Sequence, residues 1–215
     1  MSGATGRNWE SSDVLIRFIA IVMLSASLVN VASVFAQETP VTPDPELCTL
    51  EPRTIEDIES LTETSARLPD SPTPTPVPAP FEMPDGFSLL EDERTEIEKD
   101  LIRAIACVNT GDPLKVFATY SDRYVVELVE RLGGMTDQVI AGLLTVRELT
   151  EAQRLQIISF DASILLHDGR ALVIVTGDNP ADNVPAGPRA FYLEESLPGR
   201  WLVDEIVEIT VDDNG

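Results

Sequence analysis

Histidine occurs once in this chain and cysteine twice, and 37 carboxylates face only 15 lysines and arginines. These shortages exclude several kinds of chemistry. No His, Cys and Asp cluster has the spacing of a zinc site, no glycine-rich loop is built to cradle phosphate, and no G-x-S-x-G elbow presents a nucleophilic serine. Metal, nucleotide and serine chemistry therefore have no support, and no cofactor is implied. The formal net charge of −22 excludes nucleic acid and anionic lipid headgroups as partners, because their phosphates must be met by Lys or Arg. A solvated acidic surface is the ordinary meaning of such a charge; cationic partners and loosely held divalent ions stay open.

The single His167 titrates in the range a general base needs. It directly precedes Asp168-Gly169, a hairpin-tip dipeptide, and a lone base without a placed partner is no catalytic apparatus. It reads as a turn-flanking surface residue.

What the chain does contain begins with an apolar, uncharged run over residues 18–36, preceded by Arg7 and Arg17. Val34-Phe35-Ala36 fits the small-residue rule for cleavage before Gln37, so residues 1–36 read as a signal peptide, or as a signal anchor if they are retained. Either way residues 37–215 end outside the cytoplasm, secreted or anchored to the outer face of the membrane, and membrane contact runs only through an uncleaved N-terminal segment. No lipobox cysteine follows the run, which argues against a lipoprotein. Residues 37–86 read as an acidic, proline-rich spacer. Pro40, Pro43 and Pro45 lead into Cys48, and Pro69, Pro72, Pro74, Pro76, Pro78, Pro80 and Pro84 favour polyproline II. Between the two tracts residues 54–68 suit one amphipathic helix, capped by Thr54 with Ile55, Ile58 and Leu61 on a face.

Residues 87–215 have the composition of a packed domain. Ser88 and Glu91 have the spacing of a capping box ahead of Leu90, Ile97, Leu101, Ile105 and Val108, which recur at helical spacing. Asn109-Thr110-Gly111 stops that helix, and Asp112-Pro113 starts the next as N-cap and first helical residue. Ser121 caps a third, with Val125, Leu128, Val129 and Leu132 on one face, ended by Gly133-Gly134. Met135 to Arg154 has no clean period and suits a short helix or an irregular crossover. Strand periodicity follows: Ile157 to His167 and Arg170 to Gly177 turn at Asp168-Gly169, and Arg189 to Leu197 and Arg200 to Val211 turn at Pro198-Gly199. A loop from Asp178 to Pro188 joins the two pairs. Helices followed by long hairpins predict an α+β domain in which a curved antiparallel sheet wraps two to three N-terminal helices.

The run AIACVNTGDPLKVFATYSDRYV, then a crossover, a DGRALV hairpin and a terminal GRWLVDEIVEI strand, resembles the nuclear-transport-factor-2-like superfamily, the cystatin-like cone, and in particular its extracytoplasmic Chloroflexi-type members. The resemblance covers about residues 88–211 and its motifs are structural. It implies a cone-shaped domain with a pocket at the open end. Enzymes of that superfamily, the isomerases, dehydratases and polyketide cyclases, carry an acid/base pair there, typically Asp with His or Tyr; other members catalyse nothing. By residue type the candidates are Tyr120, Tyr124, Asp161, Tyr192 and Asp204. Each has an ordinary alternative, since a tyrosine at an element's end buries its ring and wets its hydroxyl, and a strand aspartate faces water.

Cys48 and Cys107 are expected to form a disulfide: an exported chain meets an oxidising environment, and two cysteines leave none over. The resemblance points the same way, through a cysteine ahead of a Pro-Arg pair, here Pro52-Arg53, that accompanies the Ala106-Cys107 of the first helix. The expected function is that of an exported or membrane-tethered, non-enzymatic cone domain binding a small apolar ligand or a protein partner. The alternatives are a cone-pocket enzyme and a homodimeric assembly module, whose interface would be an exposed stripe of Trp201, Val203, Val207 and Ile209.

Overall fold

The computed structural model describes residues 39–65, 81–180 and 184–209. The apolar run over residues 18–36, the cleavage point before Gln37 and the prolines from Pro69 to Pro80 lie outside the described residues. Among those described, no helix is long and apolar enough to cross a membrane.

The compact unit begins at Thr39, so the stretch ahead of the second proline tract belongs to it. Val41 exchanges backbone hydrogen bonds with Ile157 at 2.7 and 2.8 Å, and Pro45–Leu47 form a 3-10 turn behind Asp44. Next comes helix α1 (Ile55–Ser65). Its cap is reciprocal: the Thr54 hydroxyl accepts from the Asp57 amide at 3.1 Å, and the Asp57 carboxylate accepts from the Thr54 amide at 3.2 Å. Residues 66–68 of the expected helix lie outside the described residues. Ile58 is fully buried against Phe117, Val125, Val129 and Leu143, so the helix packs on the domain.

Strand β1 (Gly86–Ser88) precedes helix α2 (Glu91–Asn109) and pairs with the far end of β2 (Gln156–Leu166). Ser88 is thereby held in a ladder with Ile164 and does not cap the helix. The Glu93 carboxylate instead accepts from the Leu90 amide at 3.0 Å. Leu90 itself is exposed and Leu89 takes the buried place. Of the rest of the apolar stripe, Ile97, Leu101 and Ile105 are buried in the central core as read, and Val108 is half-buried. Gly111, at φ 69°, closes the helix, and a Cβ there would stand 1.7 Å from the Arg147 carbonyl oxygen.

Helix α3 (Pro113–Phe117) starts on Asp112, whose carboxylate accepts from the Leu114 amide at 3.0 Å. Helix α4 (Asp122–Arg131) starts on Ser121, whose hydroxyl accepts from the Tyr124 amide at 3.0 Å. It buries Val125 and Val129, while Leu132, past its end, is exposed. Helix α5 (Asp137–Leu143) and a 3-10 turn at Glu151–Gln153 carry the crossover.

Strands β2, β3 (Ala171–Asn179), β4 (Val184–Leu197) and β5 (Arg200–Glu208) follow, and the sheet runs β1-β2-β3-β4-β5 with every pair antiparallel. Both hairpins turn at the dipeptides read from the sequence. The expected loop from Asp178 to Pro188 is mostly strand, with Thr176 opposite Pro188 and Asn179 opposite Val184. The prolines misled here because they sit where the ladder with β5 runs out. Past Arg189, opposite Glu208, the Ile209 amide donates to the Pro188 carbonyl at 3.2 Å, a contact that asks no N–H of the proline, and among the described residues, 184–187 pair only with β3.

The register carries bulges. Along β2 the pairing steps past Ile158 and Asp161, and along β5 it steps past Asp204. An extra residue flips the side-chain alternation beyond it. Trp201 and Val203 therefore pack on the helix-facing core with Val173, Val175, Phe191 and Leu193, whereas Val207 and Ile209 join Leu166, Leu172, Ala190 and Tyr192 in the cluster on the opposite face. The expected stripe of Trp201, Val203, Val207 and Ile209 does not exist as one surface.

Candidate functional site: an apolar cavity against the sheet

A cavity of about 320 Å³ lies between α2 and the helix-facing side of the sheet. From α2 it is lined by Leu101, Ala104, Ile105 and Val108, and from the sheet by Val175, Phe191, Val203 and Ile206. The spacing that lines it is the same one that builds the core: α2 offers its i, i+3, i+4 face and each strand its alternate residues. A second cavity, of about 700 Å³, lies among α3, α4 and the crossover, and shares Val108, Val116, Tyr120, Leu155 and Asn179 with the first.

Tyr120 stands where the two meet. Its backbone sits in the corner between α3 and α4, bridged to Val203 of β5, and its ring lies 6.0 Å from Phe117 and 5.1 Å from Tyr124. Burial, with Tyr124 adding to it, pushes its phenol up from the ordinary value, so it stays a neutral hydroxyl throughout the physiological range. Arg53 holds this corner from outside. Its Nε donates to the Phe117 carbonyl at 2.9 Å, its Nη2 to the Tyr120 carbonyl at 2.8 Å, and its Nη1 pairs with Asp122 at 2.8 Å.

Polar groups collect at one end of the first cavity, where β3 finishes and the β4–β5 ladder stops: Asn179, Arg189 and Glu208. Gly177 is also in the lining; a Cβ there would stand 3.0 Å from the Gln156 carbonyl oxygen, with Arg189 Nη1 at 4.0 Å.

The other candidate residues do not converge on this space. Asp161 is the extra residue of a β2 bulge, exposed, and accepts from Ser159 at 2.7 Å and Thr176 at 2.6 Å. Tyr192 lies in the cluster on the opposite face of the sheet, with the Arg170 guanidinium 5.1 Å over its ring. Burial first, then the Glu205 charge, pushes its phenol up. Tyr124 is buried in the central core, and burial likewise raises its phenol.

Asp204 is 1 % exposed and fully engaged: it accepts from Ser121 Oγ at 2.7 Å, from Arg123 Nε at 3.0 Å and from Arg170 Nη1 at 3.2 Å, with a further short contact to Arg123 Nη2. Burial alone would push its carboxyl up; the hydrogen bonds from Arg123 and Ser121 outweigh it and hold the group below the usual carboxylate range. An acid so occupied ties elements together and has no lone pair left for a reacting proton. His167 is exposed beside the hairpin tip, its ring 4.8 Å from that of Phe87. Among the described residues no group of three or more His, Cys, Asp or Glu is placed to hold a metal ion.

No family model, no curated protein and no solved structure matches this chain. Its reading rests on its own geometry. The contacts that four residues make in that geometry were not read from the sequence. Asp100 on α2 is buried and accepts from the Trp201 amide at 2.8 Å, fixing the start of β5; a charge between Ile97 and Leu101 on the apolar face was its signal. Asn109 donates to the Pro43 and Leu155 carbonyls at 3.0 and 3.1 Å and accepts from the Leu155 amide at 2.7 Å, joining the N-terminal strap to the crossover. Arg53 and Arg189 had no local signal, since their partners and surroundings lie far off in sequence.

The cysteines do meet. Cys48 and Cys107 are joined, with their Cα atoms 4.7 Å apart, and pin the strap to the last turns of α2. A disulfide in this position fits an oxidising, extracytoplasmic setting.

Proposed function

We propose that this chain is an exported, non-enzymatic binding domain of the cone type, which takes a small, largely apolar ligand into the cavity between α2 and the sheet. The observation that carries the reading is the lining itself. Eight apolar side chains from α2 and three strands face a space of about 320 Å³ beside the half-buried Tyr120, and of the five acid/base candidates Tyr120 alone reaches it. An apolar, concave and largely preformed site with few polar groups is the usual form of a small-molecule site. Turnover by acid/base chemistry needs a second titrating side chain opposed to the first; Asp161, Tyr192 and Asp204 are held elsewhere by the contacts described above, and Glu208, the one carboxylate in the lining, is solvent-exposed. The apolar run at residues 18–36 and the disulfide support export.

Titration of the purified chain with the neutral fluorescent probe N-phenyl-1-naphthylamine tests this. Saturable binding with a one-to-one limit is expected, and Ala104→Leu, which fills the lining from α2, weakens it at least about tenfold while the fold persists. A folded chain with no saturable binding, or binding untouched by Ala104→Leu, overturns the reading.

A further inference from the structure

We propose that the ligand is an amphiphile with one negative charge, an apolar chain or ring system ending in a carboxylate, and that Arg189 selects its head. This deepens the preceding proposal and rests on it. The cavity carries charge at one end only. Arg189 and Glu208, opposite each other in the last rung of the β4–β5 ladder, are the two charged residues in its lining, and Arg189 is the cation. The two charges are not equivalent. Glu208 is exposed, so water and salt screen it, whereas Arg189 is half-buried. Among the described residues Arg189 forms no ion pair.

On the neighbouring strand Gly177 lines the same end of the cavity; a Cβ there would stand 3.0 Å from the Gln156 carbonyl oxygen and 4.0 Å, an ordinary contact distance, from Arg189 Nη1. A guanidinium brought partly out of water at the end of an apolar cavity is best satisfied by a planar anion, which it meets with two parallel N–H bonds. A neutral ligand head would leave those donors poorly matched.

The whole-chain charge argues for a single negative charge on the ligand. At −22 the protein repels anions at long range, so the apolar part must supply most of the affinity and a multiply charged ligand would be disfavoured. Screening over about 8 Å at physiological salt still lets one carboxylate approach a local cation.

Displacement of N-phenyl-1-naphthylamine by decanoate and by decanamide tests the proposal on the full chain. The two share a tail and differ in head charge. Decanoate is expected to displace the probe at concentrations about tenfold below decanamide, the ratio a charge-assisted bidentate contact supports. Arg189→Gln should bring that ratio to about one, both compounds being compared against the probe affinity of the variant itself, and Arg189→Lys should keep part of it. Equal displacement by the two compounds in the natural chain, or an unchanged ratio in Arg189→Gln, overturns the role of Arg189 and leaves the apolar cavity standing. If the natural chain does not bind the probe at all, the cavity reading itself is overturned and this inference with it.

Discussion

The Asp204 carboxylate accepts a hydrogen bond from the Ser121 hydroxyl at 2.7 Å across 83 residues of sequence, and the same hydroxyl caps α4 by accepting from the Tyr124 amide. One bulged residue of the last strand thus fixes the start of a helix. Arg123 and Arg170 complete the shell, so the contact ties α4, β5 and the β2–β3 hairpin together.

Asp204→Ala should cost about 2 kcal/mol, because it strands the buried Ser121 hydroxyl and the half-buried Arg170 guanidinium, while the more exposed Arg123 turns to water. The pH dependence has a definite sign. The Asp204 carboxyl is held below its unfolded value, so its contribution is complete above the unfolded carboxylate pKa of about 4 and is lost as pH falls through the lower folded value. Chemical denaturation from pH 7 to pH 2 should therefore show a loss of stability below about pH 4 that is smaller in Asp204→Asn. An identical acid limb in both proteins would show that Asp204 is not its source.

Removing the disulfide should destabilise substantially. Cys48 and Cys107 are 59 residues apart, and closing a loop of that length is worth about 4 kcal/mol on the chain-entropy model. Cys48→Ala with Cys107→Ala is expected to lower the free energy of unfolding by about that amount, and thiol labelling of the unreduced natural chain should find no free thiol. Two reactive thiols per chain would contradict the pairing.

A charge in the seam between α2 and the sheet should unfold the domain. Ile105 is 3 % exposed and Val173 0 %, in one core cluster. Ile105→Asp and Val173→Asp each bury an unpaired carboxylate and should cost several kcal/mol, visible as loss of the cooperative thermal transition. Unchanged melting of either would mean that its side chain finds water.

Arg53→Ala should do more than a surface change does. Its guanidinium satisfies the Phe117 and Tyr120 carbonyls and Asp122 at once, in the corner that presents Tyr120 to both cavities. The loss is expected to be about 2 kcal/mol, with weaker probe binding. Arg53→Lys should recover little, since an ammonium cannot span three acceptors spread around a planar fork. Full recovery by lysine would reduce Arg53 to a bare charge next to Asp122.

Much of the fold was legible because its signals are local. A cap needs an oxygen within a few residues of a free amide, so Thr54, Asp112 and Ser121 could be read directly, as could the hairpins at Asp168-Gly169 and Pro198-Gly199. The 3.6-residue repeat of Ile97, Leu101 and Ile105 depends only on the helix that contains it, and it named the buried face before any partner was known. The cysteine pair needed only the count and the compartment.

Tertiary structure decided what depends on a partner strand or on distant chain. A bulge is defined by the register of two strands, so the single step past Asp204 sent Trp201 and Val203 to one face and Val207 and Ile209 to the other, although the residues alternate along the sequence. The same logic turned Asp161 outward on β2 and made a neutral-looking Pro188 part of a long strand. Which polar residues enclose the cavity was settled the same way. Arg189 meets the end of the cavity because β4 pairs there with β3 on one side and with the last residue of β5 on the other, an arrangement made by pairing energy summed over whole ladders and encoded in no short segment of the chain.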